Sequence, residues 1–150
     1  MAEESAESLW AGLVVIGDEV LSGRTADVHV SWFASRLGEL GIRLGEVRIV
    51  RDVPGEIGSA VLGFRDRFDY VFTTGGIGPT HDDRTVDAIA AALGVSVIED
   101  ESILAAFRDR FGDVTESRRR MSRILEGGRS VPCSLSTAPA ISWGNIYILA

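Results

Sequence analysis

The sequence predicts an α/β protein in layers, with a largely parallel sheet. Three observations carry that prediction. Short apolar runs bounded by glycine alternate with longer stretches whose apolar residues recur at helical spacing. The order is strand, helix, strand, helix, strand, helix, and parallel neighbours need such crossovers. Near the end, two apolar runs flank Gly144-Asn145, which reads as a C-terminal hairpin.

Residues 1–10 are rich in Glu, Ala and Ser, with nothing apolar to dock until Leu9, and read as a flexible tail before a domain spanning 11–150. Leu13–Ile16, stopped by Gly17, has the length of a buried strand. Val30, Phe33, Leu37 and Leu40 form one helical stripe, with Asp27 placed as its N-cap and Gly41 as its stop. Leu44–Val50 is a second strand. Ile57, Val61, Phe64 and Phe68 form a second helix face, with Pro54 near its start. Tyr70–Thr74 runs as a third buried strand into Gly75-Gly76. Val86, Ile89, Ala90 and Leu93 give a third helix that stops at Gly94. Val95–Ile98 is strand-like. Helical patterns resume with Ile103, Phe107 and Phe111, then with Met121, Ile124 and Leu125. Length and pattern suit one domain, without repeats or low-complexity tracts.

Composition excludes several chemistries within this chain. All 15 basic residues are arginine, so a Walker A loop and a Schiff base are absent. Cys133 is the one cysteine, which removes an internal disulfide, a cysteine zinc cluster and an iron–sulfur cluster; it lacks a basic neighbour and reads as inert. His29 and His81 are too few for a three-histidine zinc site. A net charge of −7 argues against wrapping nucleic acid. No apolar run approaches the about 18 residues of a membrane span, and Met1–Ser8 has no signal-peptide pattern, so the default expectation is cytoplasmic.

In parallel sheets, ligands bind beyond the carboxyl ends of the strands. The loop after the third strand, Thr74-Gly75-Gly76-Ile77-Gly78-Pro79-Thr80-His81-Asp82-Asp83, is the densest in chemistry. Its glycines allow close backbone approach, and its free N–H groups before a helix suit an anion. Thr80 adds a hydroxyl; Asp82 and Asp83 offer oxygen ligands to a divalent cation. The plainer reading is a βα turn whose acids cap the next helix, with Thr80 and Asp83 at capping-box spacing. The third glycine of a Rossmann fingerprint is missing, because His81 stands there. The loop after the first strand offers Gly17, Asp18, Glu19, Ser22, Gly23, Arg24 and Thr25, with Arg24 a phosphate clamp and Asp27 either a site acid or only a cap. Arg51-Asp52 reaches the same edge and reads as a surface turn. Arg118-Arg119-Arg120 reads as a solvated helix face, and Trp10 as a residue that can dock on a partner subunit.

These two segments, I-G-D-E-V-L-S-G-R-T-x-D and T-T-G-G-I-G-P-T-H-D-D, resemble the MoaB/Mog-type molybdopterin-binding domain, in its CinA-like branch. The similarity runs from about Leu13 to the end and includes T-V-D-A-I-A-A-A-L-G-V and the late S-T-A-P. It implies a three-layer α/β/α fold and a pterin-phosphate or nucleotide pocket at the glycine loop 75–83. It assigns the functional acids to Asp82 or Asp83 and to Asp27, and implies a homo-oligomer, trimer or dimer. Two departures stand out. His29 occupies a position where CinA-like proteins often carry asparagine, and the chain stops at Ala150 where the family continues into a Gly-Val-Pro loop and a helix. The expectation is a domain cut short there.

Three functional readings follow. One is a domain binding a small phosphorylated ligand, molybdopterin or a nucleotide, with Mg²⁺ or Co²⁺ at Asp82 and Asp83. The second is a metal-dependent pyrophosphatase releasing AMP from ADP-ribose or FAD, with catalytic Asp82, Asp83 and Asp27. The third is a non-catalytic remnant retained for oligomerisation.

Overall fold

The computed structural model describes residues 8–133 and 138–150. Six strands form the main sheet: β1 (Leu9–Ile16), β2 (Ile42–Val50), β3 (Tyr70–Thr74), β6 (Arg129–Val131), β7 (Ala140–Trp143) and β8 (Ile146–Leu149). Their spatial order is β2-β1-β3-β8-β7-β6, and the first four run parallel. The hairpin closes as expected: Trp143 pairs with Ile146 across a two-residue turn, and Gly144 takes a positive φ of 56°.

β1 has a parallel strand on each edge and packed side chains on each face, so Ala11–Ile16 are all buried. Val14 and Ile16 point to one side, into a core with Ile57, Val61 and Phe64 of α3 (Pro54–Arg65) and Ile89 of α4 (Thr85–Leu93). Leu13 and Val15 point to the other side, against Phe33 and Leu37 of α2 (His29–Glu39). Helices on both faces make the fold three-layered, α/β/α. Gly12 permits this packing: a Cβ there would stand 2.6 Å from the Phe64 ring.

Four expectations need correction. β1 begins at Leu9, so Leu9 and Trp10 belong to the sheet; the Trp10 N–H donates to the Asp69 carboxylate at 2.7 Å. The remainder of the expected tail, 1–7, lies outside the described residues, as do Ser136 and Thr137 of the S-T-A-P segment. β2 begins at Ile42 and not Leu44. Ile124 and Leu125 are not helical: α6 (Glu116–Met121) ends first, and they form β5 (Arg123–Leu125), paired antiparallel with β4 (Val97–Glu99). Three residues are too few to display a period, so Met121, Ile124 and Leu125 counterfeit a helical stripe. Lastly, a single turn, α1 (Asp18–Leu21), follows β1 where a loop was expected. Between β4 and α6 runs α5 (Glu101–Phe111), and Asp100 caps it by accepting from the Ser102 and Ile103 amides.

Candidate functional site

The parallel arrangement brings the carboxyl ends of β1, β2 and β3 to one edge. There the loops 17–28, 51–53 and 75–84 meet. The glycine loop is held by two close approaches. Gly75 has φ +94°, and a Cβ on it would stand 2.2 Å from the Ile16 carbonyl oxygen; at Gly76 a Cβ would stand 2.2 Å from Thr85 Oγ1. Neither position admits a side chain. Thr85, fully buried, fastens the loop to α4. Its hydroxyl donates to the Gly75 carbonyl at 2.9 Å and its N–H to the Gly76 carbonyl at 3.1 Å. Sequence reasoning passed over this threonine because it sits outside the glycine run.

The two adjacent aspartates separate. Asp83 turns into the loop, where one carboxylate oxygen accepts the Thr80 N–H at 2.9 Å and the Thr80 hydroxyl at 2.6 Å. Burial works to raise the Asp83 pKa, but the bonds from Thr80 and the Gly78 amide, helped by the Arg120 charge, hold it below the usual aspartate value. Asp82 turns outward, 76% exposed, and meets His81 at 3.2 Å. The Thr80–Asp83 pair therefore closes the loop on itself and does not cap a helix, since α4 starts at Thr85.

Asp52 is the residue that sequence reasoning undervalued. Arg51 does behave as a surface residue and pairs with Glu56. Asp52, half-buried, faces the site instead, and its Oδ1 is buried without a hydrogen-bond partner among the described residues. Its N–H lies 3.4 Å from Asp18 Oδ2. Burial first, then the negative charges of Asp18, Asp83 and Asp82, push its carboxyl above the usual range, with Arg84 opposing. Its signal in the sequence was its place, at the mouth of a parallel strand.

The first loop is organised mainly within itself. Gly17 is buried and donates its N–H to the Val50 carbonyl at 3.1 Å. Asp18 and Glu19 open α1 and are exposed. Ser22 donates to the Glu19 carbonyl at 3.2 Å and accepts from Arg24 Nε at 3.1 Å; Gly23 takes φ +75°. Asp27 accepts the Val30 N–H at 2.8 Å and contacts His29 Nδ1 at 2.9 Å, so its carboxylate is engaged at the head of α2. Burial opposes these contacts, yet they lower its pKa. Thr74, at the end of β3, is buried with a hydroxyl that has no partner among the described residues.

A cleft opens beside the glycine loop. Its lining includes Gly76, Gly78 and Asp83 of the loop together with Arg120, Arg123 and Pro139. Pro79 and Thr80, next in the loop, are exposed. Among the described residues, no three histidine, cysteine or acidic side chains gather closely enough to hold a metal by themselves.

The fold and this site can be set beside known proteins. The family described as "Probable molybdopterin binding domain" matches residues 12–149. A CinA-like protein of Chlorobaculum tepidum is 35% identical over 133 residues, covering 86% of this chain and 31% of its own length. A protein named "Probable FAD synthase" in Caenorhabditis elegans is 30% identical over 162 residues, covering 93% of this chain and 31% of its own length. The chain thus spans about a third of the length of these curated relatives. Among solved structures, the protein CinA from Thermoplasma acidophilum, described as of unknown function, superposes with a TM-score of 0.85 at 30% identity over 94% of this chain and 87% of that one. The tungsten cofactor synthesizing protein MoaB from Pyrococcus furiosus shares the fold at a TM-score of 0.56 and 19% identity, over 96% and 82% of the two chains. A glycine loop after β3, the three layers and these matches agree: the chain belongs to the MoaB/Mog-type molybdopterin-binding domain family, in its CinA-like branch.

Proposed function

We propose that the domain binds a phosphorylated pterin or a nucleotide at the glycine loop 75–83. The observation that carries this reading is the backbone of Gly75 and Gly76, pressed against Ile16 and Thr85 so tightly that no side chain fits. Such a loop leaves the amides of Gly76 and Ile77 without an acceptor among the described residues, and amides of this kind suit phosphate oxygens. Gly78, Pro79 and Thr80 continue the same rim, and Thr74 lies beneath it. The first loop, with Asp18, Glu19, Ser22 and Arg24, borders the same edge. The family supports a pterin, and the FAD-synthase-named relatives support a nucleotide.

A second reading, metal-dependent hydrolysis of a nucleotide pyrophosphate, is favoured by Asp52. An unpartnered carboxylate oxygen beside Asp18 and Asp83 is a cation's natural neighbour. A bound Mg²⁺ or Co²⁺ would polarise the phosphate and lower the pKa of a water. This reading moves weight from Asp82 and Asp27 to Asp52 and Asp83. A self-associating, cytoplasmic protein is part of the proposal, and Val28 and Trp32, 66% and 61% exposed, supply an apolar surface for it.

Calorimetric titration with AMP, ADP-ribose and neopterin monophosphate, with and without Mg²⁺, tests the first reading. Saturable binding of at least one, weakened in Asp83→Asn, is expected; binding of none by folded protein overturns it. AMP released from ADP-ribose or FAD, dependent on Mg²⁺ or Co²⁺ and lost in Asp52→Asn and Asp83→Asn, would establish the second.

A further inference from the structure

Four arginines stand on or next to α6, and three are already matched to a carboxylate. Arg118 pairs with Asp113, Arg119 with Glu99 at 2.8 Å, and Arg123 with Asp87. Arg120 has neither an ion pair nor a side-chain hydrogen bond among the described residues, and its Nε is buried with no partner. A guanidinium carries five N–H donors, and leaving a buried one unmade is costly. Arg120 is also the member of the Arg118–Arg120 run that lines the cleft, together with Gly76 and Gly78. Its charge is felt by Asp83 without direct contact. By comparison, Arg24 already donates to Ser22 on its own exposed loop.

We propose that Arg120 is the residue that recognises the anionic group of the ligand: its guanidinium takes two oxygens of a terminal phosphoryl group held on its other side by the glycine-loop amides. This rests on the reading of the glycine loop as a phosphate site. A planar fork matches a phosphate's oxygens in pairs, which a point charge does not. Arg123 and Asp87 in the same lining neutralise each other, which leaves Asp87 engaged and Arg120 as the unmatched cation of the cleft among the described residues. The excursion from β4 to β5 thus acquires a purpose beyond packing. It carries a cation over the glycine loop, and in a chain of net charge −7 that cation offsets the repulsion an anionic ligand meets from Asp52 and Asp83. The ligand class is a phosphomonoester or a pyrophosphate with an accessible end.

The test compares wild type, Arg120→Gln, Arg120→Lys and Arg119→Gln in titrations with inorganic pyrophosphate, AMP and adenosine. Arg120→Gln is expected to weaken pyrophosphate and AMP about 10- to 100-fold, with adenosine unchanged. Arg120→Lys is expected to fall between, and Arg119→Gln to match wild type. A purely structural role, in which Arg120 only balances Asp83, predicts instead that Arg120→Gln lowers the unfolding midpoint while the folded variant binds pyrophosphate and AMP as wild type does; that result, or equal loss in Arg119→Gln, overturns the proposal. Pyrophosphate binding that depends on Arg120 without binding of AMP, ADP-ribose or neopterin monophosphate sinks the nucleotide-or-pterin reading and leaves the Arg120 assignment standing. Absence of pyrophosphate and AMP binding in folded wild type sinks both.

Discussion

Asp52 and Asp83 feel one another's charge but titrate in opposite directions, and that contrast gives a measurable signature. Asp52 is pushed above the unfolded aspartate value of about 3.9. Between the two pKa values the native state holds more protons, so stability falls as pH rises through that window and the penalty is complete at neutral pH. Asp83 is held below the same value, so its contribution is present above about pH 4 and fades as pH falls through its lower native pKa. Asp52→Asn should therefore raise the midpoint of urea unfolding at pH 7, and Asp83→Asn should lower it, with the Asp52→Asn gain vanishing near pH 4. Equal and same-signed shifts in the two variants would contradict this. The sequence alone separated none of these acids, because which carboxylate turns inward depends on the phase of a loop that follows neither a helical nor a strand period. Asp82 and Asp83 are adjacent and equivalent on paper; in the fold one is tied to Thr80 and the other faces solvent. The same holds for the Arg118–Arg120 run: its composition reads as a solvated face, yet of the three only Arg119 is exposed, and Arg118 and Arg120 are half-buried.

At the scale of elements, the three parallel strands and the helices between them were legible, because buried strands and amphipathic helices have different periods. The hairpin was legible from Gly144-Asn145. What escaped were pieces too short to carry a period, α1, β5 and β6, and a contact between elements, the Thr85 fastening of the glycine loop. That contact belongs to neither the loop's composition nor the helix's stripe. Thr85→Val keeps the shape of the side chain and removes its donor, leaving the Gly75 carbonyl short of a partner. The expected cost is about 1–3 kcal/mol in chemical unfolding. It should bring a larger relative loss of phosphate binding than Asp82→Asn, which changes an exposed group.

Over the whole molecule, the sheet's two faces are unequally furnished. One side carries α3, α4 and α5; the other receives its main cover from α2, whose outer surface shows Trp32 and, just before it, Val28. Trp32→Glu should shift sedimentation-equilibrium mass toward the monomer if self-association uses it, while the circular dichroism of the fold stays unchanged, since that ring stands mostly in solvent. Fold class was the most legible level of all, because layering needs only the alternation of elements, whereas a site needs the positions of single atoms.

The place of β8 has a consequence for how the protein must be made. β8 sits inside the sheet, paired parallel with β3 and antiparallel with β7, so that Val71 meets Ile146 and Thr74 meets Leu149. A ribosome delivers β3, with the glycine loop at its tip, long before it delivers that neighbour. Until then β3 presents a bare edge of unpaired amides and carbonyls, the kind of template that recruits another chain. The nascent polypeptide must therefore wait with its glycine loop attached to an unfinished sheet. Conditions that slow synthesis between Leu93 and Ile146 should favour aggregation over any defect in the finished protein.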